Sequence, residues 1–214
     1  MEASLTFIGT ATTLLRLGPF TVLTDPNFVH RGQWVYLGYG LASRRRTEPA
    51  LQPGDLPALD GVLLSHLHAD HFDRVAKASL ERTLPVLTTP PVMGSLVELE
   101  QAGSVTLRLW FSGDVLFRPQ LAAVAERWPD LDAMVIHLGG TRVFGVMVTM
   151  DGQQGMNLVE LIRPPVVIPV HYDDYGVYKS PLSEFLGEAR RRGWTERIRP
   201  LHHGESTVLA AAHH

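Results

Sequence analysis

The segment that most constrains this chain is a run of four metal-binding side chains directly after an apolar stretch at residues 62–64. In order, the run consists of His66, His68, Asp70 and His71. Residues two apart in an extended chain point the same way, so the first two histidines can bind one ion while a turn directs the other two side chains to a second. Imidazole and carboxylate are ligands that zinc, iron and manganese accept. The competing interpretation, solvated loop histidines, is disfavoured by this spacing.

Two later residues stand in the same context. Asp114 and His171 each follow an apolar run at its C-terminal end, where sheet-based folds place their functional sites. Alone, an aspartate after a glycine is more often a turn residue. Together with the first run, both side chains are predicted to be metal ligands.

The order of apolar segments predicts an α/β fold. Residues 5–8, 13–17 and 21–24 are expected to form an opening β-meander, and residues 30–57 a long surface loop. From residue 61 onward strands alternate with helices, which implies sheet layers covered by helices. The later strands are predicted at 62–64, 86–88, 107–111, 134–136 and 166–168, and the helices at 73–82, 119–127, 151–163 and 181–192.

Composition narrows the class of protein. With 214 residues, 45% of them hydrophobic, the chain is expected to form a single domain over residues 1–209, and residues 210–214 are interpreted as the remnant of a tag. The absence of cysteine excludes a disulfide framework and a thiolate metal site. The net charge of −3 and the dispersed basic residues argue against nucleic acid and favour a small-molecule ligand. No apolar segment reaches the ~20 residues of a membrane span, so a cytoplasmic protein is expected, with a homo-oligomer left open.

The motifs together resemble the metallo-β-lactamase superfamily over nearly the whole chain, and most closely its branch with L-ascorbate-6-phosphate lactonase and the N-acyl-phosphatidylethanolamine phospholipase D type enzymes. The matching segments are residues 24–26, 65–73, 112–114, 137–141 and 169–174. The resemblance implies an αββα sandwich with a two-metal site between the sheets. His66 and His68 would bind the first metal, Asp70, His71 and His171 would bind the second, and Asp114 would bridge them.

The resemblance also implies hydrolysis. A water between two divalent ions loses a proton near neutral pH, and the metal-bound hydroxide attacks an electrophilic carbonyl or phosphorus. The expected bond is a lactone, ester or phosphodiester of a small substrate. Asp114 and Asp70 are the expected catalytic side chains, the first positioning the hydroxide and the second acting as ligand and proton shuttle. Zinc is the expected metal, with manganese or iron as alternatives.

One departure concerns the first metal. The resemblance implies a further histidine between His71 and Asp114, and this sequence has none there. Either a segment was deleted between Pro90 and Pro91, giving a mono-metal or non-catalytic binding relative, or a disordered segment is missing from the sequence at that point. Glu98 and Glu100 are weaker candidates for a replacement ligand. A redox metalloprotein is disfavoured because no flavin-binding extension is present.

Five further residues complete the predicted site. Asp25 would hydrogen-bond a ligating histidine, with a simple Asp-Pro turn as the alternative. His137 would play a similar supporting role, or a purely structural one. Arg45, Tyr175 and Lys179 would contact the substrate, Arg45 through an anionic group if it is not part of a solvated basic loop. Beyond these five, Tyr178 also follows His171 closely enough to line the same cavity. For Tyr175, Tyr178 and Lys179 the alternative is a packing or surface role.

Overall fold

Two β-sheets, packed face to face, form the centre of the molecule in a computed structural model that describes residues 2–38, 40–88 and 94–211. The strands are β1 (Ala3–Gly9), β2 (Thr12–Leu17), β3 (Phe20–Thr24), β4 (Trp34–Tyr36), β5 (Ala42–Arg44), β6 (Gly61–Leu64), β7 (Val86–Thr88), β8 (Ser95–Gln101), β9 (Ser104–Phe111), β10 (Ala133–His137), β11 (Arg142–Val143), β12 (Val146–Met147), β13 (Val166–Val170) and β14 (Ser206–Leu209). The helices are α1 (Arg74–Ser79), α2 (Ala122–Arg127), α3 (Gly152–Ile162) and α4 (Leu182–Arg191). Short 3-10 turns occupy Pro53–Asp55, Pro119–Leu121 and Thr195–Arg197.

The first sheet has the strand order β14-β1-β2-β3-β6-β7, and the second has the order β13-β10-β9-β8. In the first sheet β1, β2 and β3 form an antiparallel meander, whereas β3, β6 and β7 run parallel. In the second sheet β9, β10 and β13 run parallel. Each sheet therefore contains one block of parallel strands whose carboxyl ends lie at the same edge.

Three apolar layers hold the sheets and helices together. Side chains such as Leu5, Leu109 and Val135 pack between the two sheets. Ala76 of α1 packs on the outer face of the first sheet, while α3 and α4 cover the outer face of the second. Alternation along β10 explains this, because Val135 faces the first sheet while its neighbours Met134 and Ile136 face the helices. This order of layers confirms the predicted αββα sandwich.

Local sequence signals set the helix boundaries. Asp73 caps α1 by accepting the Ala76 amide at 2.7 Å, and Asp151 caps α3 by accepting the Gln154 amide at 2.9 Å. α3 ends at Arg163, which adopts a left-handed conformation (φ 57°) directly before Pro164. Both N-caps match the helix starts expected from the sequence.

Several short elements differ from the predictions. The expected loop at residues 30–57 contains the β4–β5 hairpin, and residues 119–127 form a 3-10 turn followed by the short α2 rather than one helix. β14 and the β11–β12 hairpin were not predicted. These strands are mostly exposed, so they lack the strong apolar pattern on which the predictions depended. The Pro90–Pro91 junction and residues 212–214 lie outside the described residues.

The close approach of α3 to α4 gives a stability prediction. A Cβ atom added at Gly152 would lie 2.7 Å from the Phe185 amide nitrogen of α4, and backbone atoms can retreat only if the helices separate. Gly152→Ala should therefore lower the free energy of unfolding by about 2 kcal/mol in urea denaturation. Gly187→Ala on α4 is the matched control, since a Cβ there meets nothing within 4 Å and should be neutral or stabilising. Equal losses in both variants would contradict the prediction.

No helix in the described part of the chain is long and apolar enough to cross a membrane.

Candidate metal centre

The predicted metal ligands meet at the edge where the parallel strands of both sheets end. β3 is followed by Asp25 and β6 by residues 65–71. In the second sheet, β9 is followed by residues 112–114, β10 ends at His137, and β13 is followed by His171. The parallel strand direction therefore brings side chains that are far apart in sequence to one location.

The first histidine pair sits in the turn after β6. The Nε2 atom of His66 lies 2.9 Å from the Nδ1 atom of His68. The backbone closes around them, because the His71 and Phe72 amides both donate to the His68 carbonyl. Burial, followed by the proximity of His71, lowers the pKa of His66 to about 3, so its imidazole is neutral and can offer a lone pair.

His71 lies at the centre of the cluster and is fully buried. Its Nδ1 atom is 3.1 Å from Asp25 Oδ2, and its Nε2 atom is 3.2 Å from Asp114 Oδ2. Burial opposes the charged imidazolium, but Asp114 and Asp25 outweigh burial and raise the pKa of His71 well above its ordinary value. In this state His71 carries the positive charge that balances the surrounding carboxylates.

Asp25, at the end of β3 in the first sheet, contacts Ser65, His71 and His137. Its Oδ1 atom accepts the Ser65 amide at 2.7 Å and the Ser65 hydroxyl at 3.0 Å, while its Oδ2 atom faces His71 and lies 3.4 Å from His137 Nε2. Burial alone would raise the pKa of Asp25, but His71 and His137 lower it well below the usual range. Asp25 is therefore an anion that orients the His71 ring through its Nδ1 atom.

His171 approaches from the second sheet in a left-handed conformation (φ 63°), with its amide donating to the Thr10 carbonyl. Its Nδ1 atom lies 2.9 Å from the Leu138 carbonyl oxygen, which can only accept, so Nδ1 carries a proton. The Nε2 atom then faces His71 Nε2 at 3.1 Å and Asp70 Oδ2 at 3.4 Å. A histidine that binds a metal usually donates its other ring N–H to a protein acceptor in this way. His171 therefore has the geometry of a metal ligand that binds through Nε2.

Tyr178 also contacts this part of the cluster. Its hydroxyl donates to Asp70 Oδ2 at 3.1 Å and lies 2.8 Å from His171 Nε2. Burial, followed by Asp70, raises the pKa of Tyr178 well above its ordinary value, so the phenol stays protonated. Tyr178 was expected only to line the cavity or to pack, so its contact with the predicted ligands Asp70 and His171 was not anticipated.

The donor atoms fit divalent ions. Metal–ligand bonds of ~2.1 Å around a tetrahedral ion put neighbouring donors ~3.4 Å apart, and the His66–His68, His71–His171 and His71–Asp114 separations lie between 2.9 and 3.2 Å. Asp70 Oδ1 and Asp114 Oδ1 are buried without a hydrogen-bond partner among the described residues. Buried carboxylate oxygens left in this way are suited to a cation.

Within the described part of the chain, three groups of potential donors have all their ligand atoms within 4.8 Å of one another. They are His66, His71 and Asp114; Asp70, His71 and His171; and Asp25, His71 and His137. The third group is better explained as a hydrogen-bond network, because the Nδ1 atom of His71 faces Asp25 while its Nε2 atom faces the other two groups. His68 belongs to none of these groups and joins the cluster through its contact with His66.

The three predicted substrate contacts lie elsewhere. Arg45 is fully buried, and its Nη1 donates to the Asn27 carbonyl, while the hydroxyl of Tyr175 donates to Asn27 Oδ1. Lys179 is turned to the Gly176 carbonyl. As far as the structure describes the cavity beside the cluster, none of the three lines it. Arg45 and Tyr175 are instead buried side chains that both donate hydrogen bonds to the buried Asn27.

That cavity has a volume of about 170 Å³. Its lining consists of His66, His68, Asp70, Asp114, Leu37, Leu41, Thr141, Val143, Val148 and Thr149. The four titratable side chains are cluster members, and the other six come from the β4–β5 turn and from residues 141–149. Sequence reasoning missed these six, although Thr141 ends one of the matching motif segments. Glu98 of β8, which was considered as a replacement ligand, instead forms an ion pair with Arg108 of β9.

The loop after His171 is anchored by a second buried aspartate. Asp174 accepts the Thr10 amide and the Thr47 hydroxyl, and its Oδ1 atom lies 3.2 Å from His203 Nε2. Burial opposes the charged form of His203, but Asp174 outweighs it and raises the pKa of His203. The C-terminal segment is thereby tied to the loop that positions His171.

This ion pair predicts a pH dependence of stability. Because the folded-state pKa of His203 is raised, its contribution is fully present below the unfolded pKa of 6.5 and is lost as the pH rises through the folded value. His203→Gln should cost about 1 kcal/mol at pH 5.5 and less above pH 8. Urea denaturation of both proteins across this range measures the difference. A cost that grows with pH would refute the assignment.

Comparison with known proteins agrees with this geometry. A family model described as a beta-lactamase superfamily domain matches residues 21–106. A protein of Nanoarchaeum equitans named as a metal-dependent hydrolase is 20% identical over 181 residues, covering 64% of this chain and 81% of the relative. A similar hydrolase of Aeropyrum pernix is 23% identical, covering 95% and 96% of the two chains. Its alignment spans 249 positions, more than the 214 residues of this chain, so the relative has residues with no counterpart here.

Solved structures share the fold. A possible metal-dependent hydrolase from Veillonella parvula superimposes with a TM-score of 0.81 at 15% identity, covering 98% of this chain and 100% of that chain. The isothiocyanate hydrolase from Delia radicum gut bacteria gives a TM-score of 0.79 at 14% identity, covering 97% and 100%. At this identity the likeness concerns the fold alone.

Proposed function

The chain belongs to the metallo-β-lactamase superfamily, and from that premise we propose that it is a metal-dependent hydrolase of small substrates, acting on a lactone, ester or phosphodiester bond. The carrying observation is the convergence of Asp70, His71, Asp114 and His171 from both sheets in one cluster, which borders the cavity through Asp70 and Asp114. The relatives named as metal-dependent hydrolases support the same reaction class. The lactonase-like branch stays a prediction.

The chain's own residues prepare the centre for ions. Asp25 holds the Nδ1 side of His71, and the Leu138 carbonyl holds the Nδ1 side of His171, so the Nε2 atoms of the two rings face each other and the carboxylates of Asp114 and Asp70. Tyr178 fixes one oxygen of Asp70 and leaves the other without a protein partner among the described residues. Divalent ions held there would polarise the scissile bond and lower the pKa of a water.

Two carboxylates are available for proton transfer. Asp114 borders the cavity and contacts His66, His71 and His171, so it is placed to orient the attacking water. Asp70 also borders the cavity, and its free Oδ1 atom can take the proton of that water and return it to the leaving group. These roles are assigned because both side chains reach the cavity from opposite sheets.

A mono-metal centre is the second candidate. The first group of donors consists of Asp70, His71 and His171, and Asp114 makes a fourth. The second group consists of His66 with His68 and Asp114, which is three donors. Unequal donor sets favour unequal affinity, so the group with Asp70 is expected to fill first. The non-catalytic alternative would follow if the weaker group never fills and no turnover accompanies the stronger one.

The test combines metal analysis with turnover. The protein is stripped with a chelator, titrated with zinc, manganese or iron(II), and assayed on 4-nitrophenyl esters, lactones and bis(4-nitrophenyl) phosphate. We expect at least one ion per chain and hydrolysis that depends on it. Less than one bound ion and no metal-dependent hydrolysis would overturn the proposal.

A further inference from the structure

The part of the cavity lining that lies outside the metal cluster is mostly apolar. Leu37 and Leu41 come from the β4–β5 turn, and Val143 and Val148 come from the β11–β12 hairpin and its exit. No lysine or arginine stands in the lining as far as the described residues go. The volume of about 170 Å³ lies below the ~300 Å³ at which pockets for drug-sized ligands begin, so only a small group can be enclosed.

Arg142 and Arg44, two basic residues near the cavity, donate hydrogen bonds to backbone carbonyls, and a third, Arg118, lies outside the enclosed space. Arg142, next to Thr141 and Val143, donates to the Gly145 carbonyl of its own hairpin. Arg44 of β5 donates to the Gly32 carbonyl. Arg118 is exposed and belongs to an adjoining open depression that shares Asp114 and Val148 with the cavity. The enclosed space thus presents alkyl groups and two threonines to the part of a substrate that lies beyond the metal donors.

The apolar wall continues outward onto the tip of the β11–β12 hairpin. Phe144 is 94% exposed there, and Val146 beside it is 67% exposed. Phe144 and Gly145 both have positive φ angles (49° and 84°), as in a type I′ turn, which favours Asn-Gly. Phenylalanine is unfavourable at this position for two reasons: its ring is exposed to water, and a bulky side chain is strained at positive φ. Strained residues of this kind cluster at sites that hold ligands. Neither the stability of the turn nor the solubility of the protein therefore explains a phenylalanine at position 144.

We infer that the substrate is a small neutral electrophile, an ester or lactone, carrying an apolar tail that passes between the β4–β5 turn and the β11–β12 hairpin, with Phe144 determining tail specificity. This inference rests on the proposed hydrolase function. Water adds across the acyl C–O bond, giving a carboxylate, an alcohol and a proton. The buried Thr141 hydroxyl, which has no hydrogen-bond partner among the described residues, is the cavity's spare polar group.

Binding of hydroxamic acids tests the tail without turnover. Acetohydroxamic and octanohydroxamic acid share one metal-binding head and differ only in the alkyl chain. Calorimetry on zinc-loaded protein should give octanohydroxamate at least tenfold tighter binding than acetohydroxamate, since each buried methylene strengthens binding about fourfold. Kinetics should show the same order: kcat/KM should rise from the acetate to the hexanoate ester of 4-nitrophenol, and both values should exceed the one for bis(4-nitrophenyl) phosphate.

Phe144→Asn is the decisive variant because it suits the turn and should keep or raise the Tm. The octano-to-aceto affinity ratio should fall at least threefold in this variant. Phe20→Asn is the matched control, since Phe20 is also exposed but begins β3, at the end of the strand away from Asp25. It should leave the ratio unchanged.

Three results would overturn the inference. Equal binding of the two hydroxamates to the wild type would exclude the tail, and a ratio unaffected by Phe144→Asn would exclude the hairpin. Preferred hydrolysis of the phosphodiester would replace the neutral substrate with an anionic one, with Arg118 as its contact. Failure of both hydroxamates to bind would instead refute the metal centre itself, and with it the proposed function.

Discussion

Asp114→Asn should abolish metal-dependent hydrolysis, lowering kcat/KM by about a thousandfold, and reduce the bound metal per chain. Asp114 is the one carboxylate within 4 Å of His66, His71 and His171 together among the described residues. Asparagine keeps the size of the side chain but removes the charge, so the donors lose a shared anion. Elemental analysis of the purified variant and ester hydrolysis at saturating zinc measure both effects.

Asp130→Asn is the control for this change. Asp130 is an exposed carboxylate that pairs with Arg108 in the middle of β9, and exposed ion pairs contribute little to stability. Its variant should retain full metal content and activity. If Asp114→Asn kept near-normal turnover with a full complement of metal, Asp114 would have no role in the centre.

Asp25→Asn should weaken metal binding about a hundredfold although Asp25 does not border the cavity. The asparagine amide can still accept the Ser65 amide through its oxygen, but its NH2 group would then face His71 Nδ1. His71 would have to accept there and carry its proton on Nε2, the atom needed for a metal. Loss of the buried anion should also reduce the stability of the metal-free protein by about 3 kcal/mol. Chelator competition and urea denaturation measure the two quantities.

Asp60→Asn provides the comparison on the same sheet. Asp60 accepts the Thr21 amide at 2.7 Å from an exposed position and has no histidine partner among the described contacts. Its variant should change metal affinity less than twofold. An Asp25→Asn protein with wild-type metal affinity would show that the tautomer of His71 is not set by Asp25.

The order of layers was predictable because the buried strands carry strong apolar patterns. The runs before His66, Asp114 and His171 each end at a polar side chain, and parallel strand ends necessarily share an edge. The sequence could therefore indicate which residues converge. It could not distinguish Tyr175 from Tyr178, since both follow His171 closely and only the path of the loop decides which hydroxyl reaches Asp70.

The cavity wall was beyond sequence reasoning for a different reason. Val143 and Val148 flank a hairpin whose strands are two residues long, too short to show a period. Arg45 was expected at the substrate because arginine is usually exposed and binds anions. Its burial against Asn27 and Tyr175 depends on a long-range contact between residues 45 and 175 that no local pattern reports.

The wide sequence separation of the donors also has a consequence for biosynthesis. Asp25 and residues 66–71 emerge from the ribosome well before Asp114, and His171 emerges last. A nascent chain that ends before β13 already carries His66, His68, Asp70, His71 and Asp114 but lacks His171, so the group of donors around His171 is one ligand short. Tight loading with metal must then wait until the second sheet has closed over the first, so metal acquisition marks the completion of folding rather than its start.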